Sequence, residues 1–122
     1  MNVAGDDRGE YRALIDALVR ACREGQGQIG PSRVRRGVWN TNAGDGRDEV
    51  PDPAHLNRLL DGLNDTDRAV LAGMLEEAFV GGVHETLVSL HEMSMQPFEN
   101  GYEGTPYHDF VGRLHGWNWP VD

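Results

Sequence analysis

Tyr11-Arg12-Ala13-Leu14-Ile15-Asp16-Ala17-Leu18-Val19-Arg20-Ala21-Cys22-Arg23 is the stretch that decides the fold class. Tyr11, Leu14, Ile15, Leu18, Val19 and Cys22 recur at steps of three and four, which places them on one stripe of a helix, with Arg12, Asp16, Arg20 and Arg23 on the other side. Gly25 follows as a natural C-terminal stop. The same period returns further along. Asp52 can cap a helix with Pro53 at its first position and Leu56, Leu59, Leu60 and Leu63 on its buried face, ending at Gly62. Asn64 or Asp65 can cap the next, striped by Val70, Leu71, Met74, Leu75, Ala78 and Phe79.

Gly81-Gly82 interrupts that stripe before Val83, Leu87, Val88 and Leu90 resume it towards Met93, so the pattern allows two helices or one kinked helix until Pro97. Thr105 and Pro106 then open a last helix with Phe110, Val111 and Leu114 inside, up to Gly116. The expected architecture is mainly α, four to five helices packed around one core. Asn100-Gly101 is the strongest two-residue hairpin signal and predicts a short β-hairpin near residues 96–104.

Between these elements the period fails. Residues 25–51 read as a long loop with one helical turn after Ser32, and residues 1–7 as a loosely ordered start. The length, 122 residues, fits one domain spanning 1–122. Every one of the eleven basic residues is Arg, which points to a GC-rich bacterial genome. The single cysteine, Cys22, excludes an internal disulfide and fits a reducing compartment. With no basic, apolar leader at Met1 and no run of about 20 apolar residues, the expectation is a cytoplasmic protein with no membrane contact.

Charge is unevenly spread: residues 1–47 carry a net +2 and residues 48–122 a net −11 within the total of −9. Nucleic-acid binding needs a basic face to displace counterions, and one short basic run does not supply it, so no nucleic-acid partner is expected.

Motifs with chemistry are few. Gly25-x-Gly27-x-x-Gly30 matches the dinucleotide fingerprint in letters, but it follows a helix and precedes Pro31 instead of joining a strand to a helix, so it predicts no cofactor. His84 and His91 are seven apart, as are His108 and His115. Seven residues rise about 10.5 Å along a helix, too far for one ion, and no metal site is expected. His84-Glu85 and His91-Glu92 are adjacent pairs whose members point about 100° apart, which does not let them act on each other. No nucleophile elbow, Cys-His pairing or His-Glu-x-x-His segment is present, and the chain reads as non-enzymatic.

Arg33, Arg35 and Arg36 beside Trp39 form the one basic cluster, able to meet a phosphate or an acidic partner, or to stack on the indole. Trp117 and Trp119 either cover the core or anchor a partner. With His84, these are the candidate binding residues.

Four segments carry a resemblance: Ser32-Arg33-Val34-Arg35-x-Gly37-x-Trp39, Arg68-Ala69-Val70-Leu71-Ala72-x-Met74-Leu75, Gly81-Gly82-Val83-His84-Glu85-x-Leu87, and Val111-x-Arg113-Leu114-x-Gly116-x-x-Trp119-Pro120. Together they resemble a family of small bacterial proteins classed as a domain of unknown function, over most of residues 10–120. The resemblance implies a bacterial protein and brings no activity with it. The expected function is therefore a protein-interaction domain, an adaptor or immunity-type binder, or a self-associating one. The alternative is a small helical enzyme or ligand-binding domain using His84, Glu85 and His91 near the loop of residues 33–39.

Overall fold

The computed structural model describes residues 4–41, 53–98 and 102–121. Five α-helices lie among them: α1 (Ala4–Arg23), α2 (Ile29–Arg36), α3 (Pro53–Asp61), α4 (Asp65–Glu92) and α5 (Pro106–Leu114), with a 3-10 turn at Gln26–Gln28 between the first two. The fold is mainly helical, and no strand occurs among the described residues. The expected hairpin turn at Asn100-Gly101 and the expected cap Asp52 lie outside them.

The long helix α4 is the spine. Its 28 residues run through Gly81 and Gly82 without a break, which resolves the choice left by the sequence in favour of one helix. At its start the Asn64 side chain accepts the Asp67 N–H at 2.8 Å, and Asp65 and Asp67 set negative charge against the positive end of the helix dipole. Its first half packs on α2 around buried Val34, Leu60 and Ala72, with Leu71, Leu75, Leu63 and Trp39 beside them. Its second half meets α1 and α5 around buried Tyr11, Ile15, Cys22, Leu87 and Phe110, with Phe79, Val80 and Val83 on the α4 side.

The inward face of α4 differs from the expected stripe. Val70 and Met74 are 59% and 60% exposed, while Ala72 is fully buried. Apolar residues surround this helix, so the period alone does not choose a face. Ala72 has no bulk beyond Cβ and suits the position where another helix crosses closely. On α3, Leu60 is buried as expected but Leu59 is 54% exposed.

The stretch expected to be a long loop contains the two-turn helix α2. Its end is fixed by Gly37, with φ at +78°, whose N–H and that of Val38 donate back to the carbonyls of Val34 and Arg33 at 3.0 and 3.2 Å. A side chain at Gly37 would also collide with the Arg68 guanidinium, 2.5 Å from where its Cβ would stand. Arg68 in turn donates to the Leu60 carbonyl at 3.0 Å, so one arginine on α4 closes the ends of α2 and α3 together. Asn57 completes the clamp, accepting the N–H groups of Trp39 and Asn40 and donating to the Asn40 carbonyl. Helix α1 begins at Ala4, so helix occupies part of the start expected to be loose.

Gly81 and Gly82 are exposed inside α4, with open space where a Cβ would stand. Gly81→Ala and Gly82→Ala are each expected to stabilise the fold by about 0.5–1 kcal/mol, because alanine costs less backbone entropy in a helix interior. Urea unfolding measures this; a loss of stability in both variants would contradict a continuous α4 through Gly81 and Gly82.

Candidate functional site

Between α1 and the second half of α4 lies a half-open cavity of about 730 Å³. Leu14, Ile15 and Leu18 of α1 face Val83, Leu87 and Leu90 of α4 across it, with Tyr11 and Pro106 towards the base. Residues 94–97 form its rim, and Thr86 and His91 complete the α4 wall. The walls are apolar, and Tyr11 and Thr86 use their hydroxyls elsewhere: Tyr11 donates to Asp109, and Thr86 donates to the Gly82 carbonyl at 2.8 Å.

The rim is built by strain. Ser94, with φ at +56°, is the one non-glycine residue in the left-handed region among the described residues. It ends α4 as Gly37 ends α2: the Ser94 N–H donates to the His91 carbonyl at 3.0 Å and the Met95 N–H to that of Leu90 at 2.8 Å. A left-handed conformation costs a β-carbon-bearing residue about 1–2 kcal/mol, and strain of this kind gathers at ligand sites.

His91 is half-buried, its ring edge-on to Tyr107 at 5.5 Å, and its Nδ1 is sealed from solvent with no hydrogen-bond partner among the described residues. His84, two turns earlier, meets the same Tyr107 ring at 5.8 Å. Tyr107 also lies against His108 at 4.6 Å, and the His108 Nδ1 pairs with the Thr105 hydroxyl at 2.8 Å. Among the described residues no group of three or more His, Cys, Asp or Glu is placed to hold a metal ion.

Beneath the cavity, the fully buried Tyr11 donates its hydroxyl to Asp109, which also accepts the Gly104 N–H at 3.1 Å. Burial, then the bond to Asp109, pushes the Tyr11 phenol far above its ordinary value, so it remains a donor. Phe98, Tyr102 and Trp119 surround the Tyr11 ring at 4.5–6.3 Å between centroids.

The residues singled out from sequence separate into three places. Arg33 stacks on Trp39 at 5.4 Å, and Arg35 pairs with Glu76 of α4 at 2.7 Å. Arg33 and Arg36 flank a shallow polar depression with Glu24, Gln28 and Ser32, while Arg36 itself is exposed. His84 stands on the α4–α5 contact, eight residues beyond Glu76, or about 12 Å along the helix, and the neighbouring Glu85 is exposed. Trp117 and Trp119 pack on each other at 5.3 Å at the end of the chain. Of the named histidines, His91 alone reaches the cavity, and neither Glu85 nor the Arg33 to Trp39 contact lines it.

Trp119 is held by α1 and α5. Arg12 and Arg113 approach its ring at 5.2 and 5.3 Å, and its indole N–H donates to Asp16 at 3.0 Å. Arg113 donates to Asp16 at 2.7 Å and to the Trp117 carbonyl at 2.6 Å, while Arg12 reaches the Pro120 carbonyl at 2.9 Å. Arg8 and Arg12 both pair with Glu103. The sequence offered a signal for this strap, the Arg12, Asp16 and Arg113 set, but nothing in helical spacing joins residue 16 to 113 and 119.

Burial works to raise the Asp16 carboxyl, but bonds from Arg113 and Trp119 outweigh it and hold it below its ordinary value. Bonds from Arg8 and Arg12 do the same for Glu103. Both groups bind protons more weakly folded than unfolded. Their contribution is therefore present above the unfolded carboxylate value of about 4 and is lost as pH falls through the lower folded values. The urea midpoint is expected to drop between pH 5 and 3 (approximate window), and to drop less in Asp16→Asn; an equal drop would remove Asp16 from the acid response. Ser94→Gly is expected to stabilise by about 0.5–1 kcal/mol by relieving the left-handed strain, read from the same unfolding curves.

No curated protein and no solved structure matches the chain. A family model, described as a family of unknown function (DUF6547), matches residues 4–121. That match takes in both helical clusters, the cavity and the Trp119 strap, and the chain belongs to this family of unknown function.

Proposed function

We propose that this protein is a non-enzymatic binding domain whose site is the apolar cavity between α1 and the second half of α4. The carrying observation is the cavity itself: about 730 Å³ with apolar walls, within the range of about 300–1,000 Å³ usual for small-molecule sites. Two features agree with it. The rim rests on a strained residue, Ser94, and Met95 beside it is 55% exposed, leaving a flexible apolar side chain over the mouth. This is the ligand-binding alternative drawn from the sequence, moved from the His84 and Glu85 region to the cavity that His91 lines.

A protein-binding role has its own support in Val70 and Met74, one turn apart on α4 and both largely exposed. The reading also places the protein in the bacterial cytoplasm, in keeping with its one buried, unpaired cysteine. No helix among the described residues is long and apolar enough to cross a membrane.

Nile red, a neutral dye that brightens in apolar surroundings, tests the site. The parent protein is expected to bind it saturably at one dye per chain. Met95→Glu, which places a charge at the mouth on an exposed side chain, is expected to weaken that binding about tenfold (a loss of ~1.4 kcal/mol) with the urea midpoint unchanged. Absence of saturable binding, or equal binding by Met95→Glu, would overturn the assignment.

A further inference from the structure

The cavity's wall chemistry selects the class of its occupant, an inference that rests on the binding reading above. Among the described residues, none that lines it is Asp, Glu or Arg. A carboxylate, phosphate or sulfonate brought inside would have no cation to pair with, and an unpaired buried charge costs several kcal/mol. Placed at the mouth instead, an anion would meet a chain of net charge −9, of which −11 is carried by residues 48–122, the part that supplies α4 and the rim.

The wall is not wholly inert. With Tyr11 and Thr86 engaged inside the protein, the remaining polar side chains on the lining among the described residues are His91, Ser94 and Gln96, the last two on the exposed rim. His91 is the one set into the helix wall. Its Nδ1 is sealed and unpaired, so an N–H there would be a buried donor with nothing to meet. With Nδ1 shut off, Nε2 is the ring nitrogen left to carry an N–H and to meet a guest. The edge-on contact with Tyr107 fixes the ring plane.

We infer that the cavity takes an uncharged, mainly apolar molecule bearing one hydroxyl or carbonyl oxygen, which accepts a hydrogen bond from His91 while the apolar body lies between Leu14, Leu18, Val83 and Leu90.

The test is a matched pair of ten-carbon probes, 1-decanol and decanoate, competing with Nile red at pH 8. Decanol is expected to displace the dye at least about tenfold more effectively than decanoate, the difference set by burying an unpaired charge. In His91→Phe, which keeps an aromatic ring and removes the donor, decanol is expected to lose roughly three- to tenfold in affinity, with the urea midpoint confirming an intact fold. Decanoate displacing the dye as well as decanol would overturn the inference and leave the cavity assignment standing. Undiminished decanol binding by His91→Phe would remove His91 from recognition and overturn it too. Failure of the parent to bind Nile red would overturn the cavity assignment itself, so the two failures are distinguishable.

Discussion

Tyr11 and Asp109 hold together the end of the molecule on which the cavity depends. A buried carboxylate in an apolar cluster is costly unless it accepts hydrogen bonds, and here the Tyr11 hydroxyl and the Gly104 N–H both donate to its Oδ2. The two residues are 98 positions apart, so their bond ties the first helix to the last and brings the segment entering α5 with it. Three aromatic rings, Phe98, Tyr102 and Trp119, then close around the pair, and Phe110, fully buried on α5, adds about 1.5–3 kcal/mol of apolar burial next door. With α5 fixed to α1 at this point, Pro106 becomes the floor of the cavity and Tyr11 part of its base.

The second constraint is the length of α4. A helix of 28 residues, roughly 42 Å long, is too long for one small cluster to cover. It serves two: α2 and α3 on the first half, α1 and α5 on the second. The 3-10 turn at Gln26–Gln28 joins the two ends of this arrangement. A Cβ on Gly27 would stand 2.8 Å from both the Cys22 carbonyl oxygen and a Phe79 ring carbon, so the turn is pressed between α1 and α4 with no room for a side chain. Gly27, the middle glycine of the sequence that imitates a dinucleotide motif, is there for packing.

Helix existence was legible because capping and period are local. Asn64, Thr105 with Pro106, and the stripe on α1 all mark elements that form where expected. Helix α2 was legible only as one turn after Ser32: Gly30 and Pro31 lie in its first turn, and its stability comes from Arg68, Arg35 and Trp39 contacts to α3 and α4 that leave no periodic trace. The facing of α4 failed for a related reason, since apolar residues on several sides give no single stripe and neighbouring helices decide which are covered. The strap on Trp119 was half legible, as a tryptophan that covers the core, while its partners 103 and 107 positions upstream were beyond any local pattern.

The candidate site was least legible because its residues had already been assigned a structural role. Leu14, Leu18, Val83, Leu87 and Leu90 are the residues that an amphipathic reading sends to the core, and most of them do stand on the inward faces of α1 and α4. What period cannot express is the separation of those faces. The Tyr11–Asp109 bond and the aromatic cluster fix α1 against α5, and α4 meets α5 through Tyr107, between His84 and His91. Both helices are thus anchored on α5 as well as meeting each other, and the cavity lies between their apolar faces next to residues 94–97. The cavity thus arises from the same contacts that stabilise the fold, and its apolar walls are core surface that no side chain among the described residues fills.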